Sequence, residues 1–119
     1  MNNNTNNLFD EAEVIYSYTW DDAINDGTFI RIPEELSKQL FKYPMAITNT
    51  IWSRYIEGYD INGRLWDILW MMKNGKKDGS DCYFKVKLGQ KWVEMMAVCE
   101  ARNPKNPEPI ITIMLPEDR

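Results

Sequence analysis

Hydrophobic and polar positions along this chain fall into a few distinct periods, and each period predicts an element. Residues 14–18 are a short run of β-branched and aromatic residues, which predicts a strand. Thr19 then reads as an N-cap, with Asp21 and Asp22 in the first turn, where negative charge complements the helix dipole. Gly27 supplies the stop, so a helix of about two turns is expected over residues 20–26. Residues 28–32 return to an extended run. Pro33 followed by Glu34 and Glu35 opens a second helix, expected to reach residue 41 with Leu36, Leu40 and Phe41 on one stripe. Pro44 ends it, because a residue before proline avoids the α region. From residue 45 to 56, Ile47, Ile51 and Tyr55 recur every four positions with Trp52 alongside, which predicts an amphipathic helix stopped near Gly58.

Residues 62–73 are the most hydrophobic segment. Leu65, Ile68, Leu69 and Met72 form an i, i+3, i+4, i+7 stripe, and Trp66 and Trp70 add a further row. Only the line through Arg64, Asp67 and Asn74 is polar, so this helix is expected at the centre of the fold, nearly surrounded, with Arg64 and Asp67 as neighbours on its exposed line. The turn formers of residues 74–81 predict a loop. Residues 82–88 then alternate, with Cys82, Phe84, Val86 and Leu88 on one face and Tyr83, Lys85 and Lys87 on the other. Gly89-Gln90 is a hairpin-length link to residues 92–101, which are apolar on both faces and read as a central strand. Three prolines make residues 101–109 a stiff loop, residues 110–115 are the last strand, and residues 116–119 an exposed tail. The expected architecture is α+β: a three-stranded antiparallel C-terminal meander packed against about three helices, with short N-terminal strands at an edge or as their own hairpin. Residues 1–10, polar and rich in Asn, read as a disordered tail, and residues 11–119 as a single domain.

The chain has 119 residues, 44% of them hydrophobic and 13% aromatic, enough for one packed core. It lacks both an apolar stretch of about 20 residues and a signal-like start, so a cytoplasmic location with no membrane is expected. Histidine is absent, which removes the commonest general base near neutral pH and the commonest zinc ligand. Cys82 and Cys99 are too few for a disulfide framework and read as buried free thiols. No nucleotide-binding glycine motif, nucleophile elbow or CxxC pair occurs, so no catalytic residue, cofactor or metal ligand is assigned, and a non-enzymatic role is expected. Net charge is −4 and uneven: residues 1–35 hold eight acids against Arg31, whereas residues 73–91 hold six lysines against Asp78 and Asp81.

Four blocks, VIYSYTWDDAINDG (14–27), YPMAITNTIW (43–52), GRLWDILWM (63–71) and PIITIMLPED (109–118), resemble an uncharacterised family of small bacterial proteins. Such proteins are carried largely on plasmids, phages and conjugative elements. The resemblance spans nearly the whole chain beyond its N-terminal tail and departs at Trp20-Asp21, where a basic or small polar pair is expected. It implies a shared fold and a mobile-element setting, with no assigned activity or catalytic residues.

Two binding surfaces remain as candidates. Tyr16, Tyr18, Trp20 and Trp92 lie beside polar residues and are candidates for a protein-partner surface, because large rings with a polar edge favour interfaces. Trp66 and Trp70 read first as core packing. Lys73, Lys76, Lys77, Tyr83, Lys85 and Lys87 form the second candidate, basic groups interleaved with an aromatic, suited to nucleic acid. A sequence pI near 4.8 opposes that reading. The expected function is therefore a non-catalytic accessory that binds a host or element-encoded protein, with nucleic-acid contact as the alternative. Partner identity and oligomeric state are not encoded in any motif.

Overall fold

The structure is a computed structural model and describes residues 18–119. Its elements run α1 (Trp20–Asn25), β1 (Phe29–Arg31), α2 (Glu34–Ser37), β2 (Met45–Thr48), α3 (Asn49–Ile51), a π-helical turn (Trp52–Ile56) and α4 (Ile61–Lys73). Four strands and a 3₁₀ turn complete it: β3 (Lys76–Asp78), β4 (Asp81–Leu88), β5 (Lys91–Asn103), β6 (Asn106–Met114) and Pro116–Asp118. The tail expected at residues 1–10, and all of the strand expected at 14–18 except Tyr18, lie outside the described residues.

The helix starts follow their capping residues. Thr19 and Asp22 form a reciprocal capping box on α1, and Gly27 sits beyond the helix end with φ 86°. Asp60 caps α4 by accepting from the Gly63 N–H, and Thr48 caps α3 by accepting from the Ile51 N–H.

The α+β class holds, but the sheet is larger than a three-stranded meander. It has six strands in the order β1-β2-β6-β5-β4-β3. The meander of β4, β5 and β6 is present and antiparallel, β3 extends it on one side, and β2 joins β6 in parallel on the other. β1 forms the far edge, antiparallel to β2. One face carries the main core, where α4 lays Leu65, Ile68, Leu69 and Met72 over Met45, Ile47, Val86, Met95 and Ile113. The opposite face carries a smaller cluster in which Trp20 of α1 covers Ala46 and Ile110. Burying each large aliphatic side chain is worth roughly 1.5–3 kcal/mol, so the α4 face dominates the stability.

Several expectations are corrected. Residues 45–48 are a strand, and only residues 49–56 are helical. The four-residue spacing of Ile47 and Ile51 is satisfied across a strand–helix junction. Met45, Ala46, Ile47 and Thr48 are all buried because β2 has neighbours on both sides and cover on both faces. α2 stops after one turn, although Leu36, Leu40 and Phe41 still pack against the main core. α4 is covered along one stripe only, leaving Trp70 49% exposed, because the neighbouring helices are too short to enclose it. Arg64 turns from Asp67 to the Tyr55 carbonyl (2.8 Å) and the face of Tyr59 (3.8 Å).

The turn-rich segment after α4 contains β3, paired through Lys76↔Tyr83 to Asp78↔Asp81. The proline-rich segment is a hairpin rather than a long loop. Asn103 Oδ1 accepts from the Lys105 and Asn106 N–H groups, and Pro109 sits where β6 pairs with β5 alone. The last residues are tied down: Asp118 accepts from Thr48 Oγ1 (3.3 Å), and Arg119 pairs with Asp81 (2.7 Å).

Ala46 separates the two placements of residues 45–48. On an amphipathic helix with Ile47, Ile51 and Tyr55 inward it would face solvent, whereas in β2 it is fully buried beneath Trp20. Ala46→Glu is therefore expected to destabilise the protein by more than about 4 kcal/mol, the range for an unpaired buried charge. Urea unfolding checks it, and near-neutral behaviour would contradict β2.

Candidate functional site

The N-terminal aromatic group divides. Tyr16 lies outside the described residues. Tyr18 is exposed, with its hydroxyl donating to Asp26 Oδ2 and contacting Thr28 Oγ1. Trp20 is not a surface residue: it is 6% exposed, and its indole Nε1–H donates to Thr112 Oγ1 at 3.0 Å. The guanidinium groups of Arg31 (5.2 Å) and Arg102 (5.3 Å) both lie over its ring. A register shift beside Arg102 re-aims that side chain toward Asp21 (2.8 Å) and Glu108 (3.1 Å). Trp20 and Asp21 thus form a structural clasp holding α1 to the sheet.

The lysine group divides too, because a strand alternates its faces. Lys76 pairs with Tyr83, so it stands on the face of Tyr83, Lys85 and Lys87, opposite to α4. Lys77 pairs with Cys82 and points to the α4 face, where its ammonium contacts the Lys73 carbonyl at 3.5 Å. Lys73 is the last residue of α4. Trp92 pairs with Lys87 and Glu94 with Lys85, so the face away from α4 presents Lys76, Tyr83, Lys85, Lys87, Trp92 and Glu94. It is open: Trp92 is 63% and Tyr83 42% exposed. Lys85 and Glu94 form a solvated pair at 3.9 Å, which adds little stability.

This face ends at an unpaired strand edge. The Cys99 N–H donates to the Ser80 carbonyl, and hydrogen-bonded pairs alternate along an antiparallel ladder. With that register, the backbone groups of Lys85 and Lys87 point away from β5. β3 reaches only as far as Tyr83, so among the described residues no strand pairs with β4 at Lys85 and Lys87. Beside this edge, a cleft of about 250 Å³ is lined by Asp67, Trp70 and Met71 of α4 and by Val86, Lys87 and Trp92 of the sheet. Trp66 stacks on Trp70 with centroids 6.3 Å apart. Trp70 therefore belongs to the site, although its spacing reads as core; the signal is that the stripe of Leu65, Ile68, Leu69 and Met72 already fills the side of α4 that faces the sheet.

A second cavity has no counterpart in the sequence reading. It holds about 480 Å³ between the turn after α2, the C-terminal end of α4 and the β3–β4 hairpin. Cys82 and Cys99 are both free and both line it. Cys82 is buried, while Cys99 is only partly buried. Burial pushes both thiols up, opposed at Cys82 by the Lys77 ammonium and reinforced at Cys99 by the Glu100 carboxylate. They therefore stay protonated near neutral pH and are weak nucleophiles. Among the described residues, no group of three or more Cys, Asp or Glu is gathered as a metal site, and no helix is long and apolar enough to cross a membrane.

An α+β chain with an open, aromatic sheet face is the class these features define. Residues 5–63 match the model of a family of unknown function (DUF6573), so the N-terminal half of the chain carries that family's sequence. The VIYSYTWDDAINDG and YPMAITNTIW blocks fall inside the match, while most of GRLWDILWM and all of PIITIMLPED lie beyond it. No curated protein and no solved structure matches the chain.

The Trp20 clasp can be tested by stability. Trp20→Phe keeps a ring but removes the donor to Thr112, and should cost about 1–3 kcal/mol; Trp20→Ala should cost about 3–5 kcal/mol. Hydrogen bonds from Arg102 hold the Asp21 carboxyl below its ordinary value. Asp21 therefore contributes stability above its unfolded-state value near pH 3.9 and loses it as pH falls through the lowered folded value. Arg102→Met should remove that part of the acid sensitivity, read as a smaller drop in urea midpoint between about pH 5 and 3.

Proposed function

We propose that this protein is a non-catalytic binding module that takes an extended segment of a partner protein along the open edge of β4. The observation that carries the reading is the convergence at that edge of Trp70, Trp92 and the unpaired backbone of Lys85 and Lys87. Large aromatic rings dominate the energetics of protein interfaces, and an added strand draws affinity from main-chain hydrogen bonds. Lysines on the edge keep it from pairing with further copies, while leaving it available to a chosen segment. The mixed charge of Lys85, Lys87, Asp67 and Glu94 suits a protein segment better than a polyanion. The setting that goes with this reading is an accessory of a mobile genetic element, in the cytoplasm, engaging a host or element-encoded protein without a cofactor.

One observation favours a second reading. Lys76, Tyr83, Lys85, Lys87 and Trp92 share one open sheet face, the layout of a platform on which unpaired bases stack. The net charge of −4 weighs against it.

The two readings separate cleanly. A stoichiometric partner recovered with nuclease present should be lost in Trp70→Ala with Trp92→Ala, by about a hundredfold in affinity. It should also be lost in Lys87→Pro, which removes an outward N–H from an edge at no cost to the β4–β5 ladder. Circular dichroism would verify that each variant stays folded. Oligonucleotide binding steep in salt, and abolished by Lys85→Glu with Lys87→Glu, would replace the first reading with the second.

A further inference from the structure

The cavity between the turn after α2 and the β3–β4 hairpin is on the α4 face, away from the proposed partner surface. The turn that follows α2, Leu40 to Tyr43, and Met72 at the end of α4 border it. The floor is apolar: Ala97, Cys99 and Ile111 of the sheet, with Phe41, Met72 and Cys82 as walls. Its volume of about 480 Å³ falls within the roughly 300–1,000 Å³ of small-molecule sites.

Two lysines and one aspartate supply the charge at its lining. Lys42 and Lys77 both line the cavity, Lys77 being turned onto this face by its pairing with Cys82. Among the described residues neither has a carboxylate partner: Lys42 lies over the Tyr43 ring (5.9 Å) and Lys77 meets only the Lys73 carbonyl. Asp81, the one carboxylate in the lining, pairs with Arg119 through Oδ2 at 2.7 Å, while its Oδ1 is buried without a hydrogen-bond partner among the described residues. Apolar walls with two uncompensated ammonium groups complement a ligand that has an apolar body and one anionic end.

We propose that this cavity binds a small amphipathic carboxylate, its chain or ring against Phe41, Ala97, Cys99 and Ile111 and its head group between Lys42 and Lys77. The site is independent of the partner surface and does not rest on the binding-module reading. Nothing is transferred: the thiols only line the cavity.

The same thiols report occupancy. Decanoate, used below its micellar concentration on the full chain, should slow iodoacetamide labelling of Cys99, mapped by mass spectrometry. Decyltrimethylammonium of equal chain length should protect it about tenfold less well at matched concentration, because the lysines disfavour a cation. Lys42→Glu with Lys77→Glu changes only side chains at the cavity mouth and should reverse that preference. Displacement of 1-anilinonaphthalene-8-sulfonate fluorescence by decanoate gives a second reading that does not depend on thiol chemistry. Labelling rates and fluorescence both unchanged by decanoate would overturn the proposal. So would equal protection by the anion and the cation, or an unaltered preference in the double variant.

Discussion

β2 is the strand on which the fold depends. Its four residues are buried on both faces, and both of its edges are paired, to β1 on one side and to β6 on the other. Because β2 and β6 run parallel, their link cannot be a turn, and α3, the π-helical turn, α4 and three strands all lie within the connection. The connection is what delivers α4 to one face. Trp20 closes the other face over Ala46, the central residue of β2 on that side. Thr48 at the end of β2 both caps α3 and donates to Asp118, so one hydroxyl ties the start of the helical layer to the end of the chain.

Local signals in the sequence were legible where a single residue type decides the geometry. Thr19, Asp22 and Gly27 bound α1 as their capping chemistry requires, and the strict alternation of residues 82–88 placed Cys82, Phe84, Val86 and Leu88 inward. β2 was not legible, because four consecutive buried residues carry no period. The isoleucines then match a helical spacing that the chain never uses as one helix. β3 was hidden for the opposite reason: Lys76–Asp78 is wholly polar and exposed, and it is a strand only through its pairing with β4.

The same contrast applies to surfaces. Trp92 and Tyr83 lie on the open side of strands whose alternation can be read directly, and both are exposed. Trp20 looked available because its neighbours Asp21 and Asp22 are acidic, yet the residues it packs against, Ala46 and Ile110, and the Thr112 that accepts its indole N–H are distant in the chain. The gap over Ala97 and Cys99 lies beside the turn that follows α2, and the stripe of Leu36, Leu40 and Phe41 gives no warning of it. Hydrogen-bonded turns carry the chain on from Ser37 to Phe41, so Leu40 and Phe41 still pack against the core without a continuous helix.

The parallel pairing of β2 with β6 also bears on how the chain is made. The region matching DUF6573 ends at residue 63, and it contains β1 and β2 but not the strand that completes β2. As the polypeptide leaves the ribosome, Met45–Thr48 is finished long before Ile111–Ile113 appears. Until then the most buried strand has an open edge. The sequence unit defined by the family is thus not a unit that can complete its own sheet, and the native structure is reached only when the last strand closes on the first half.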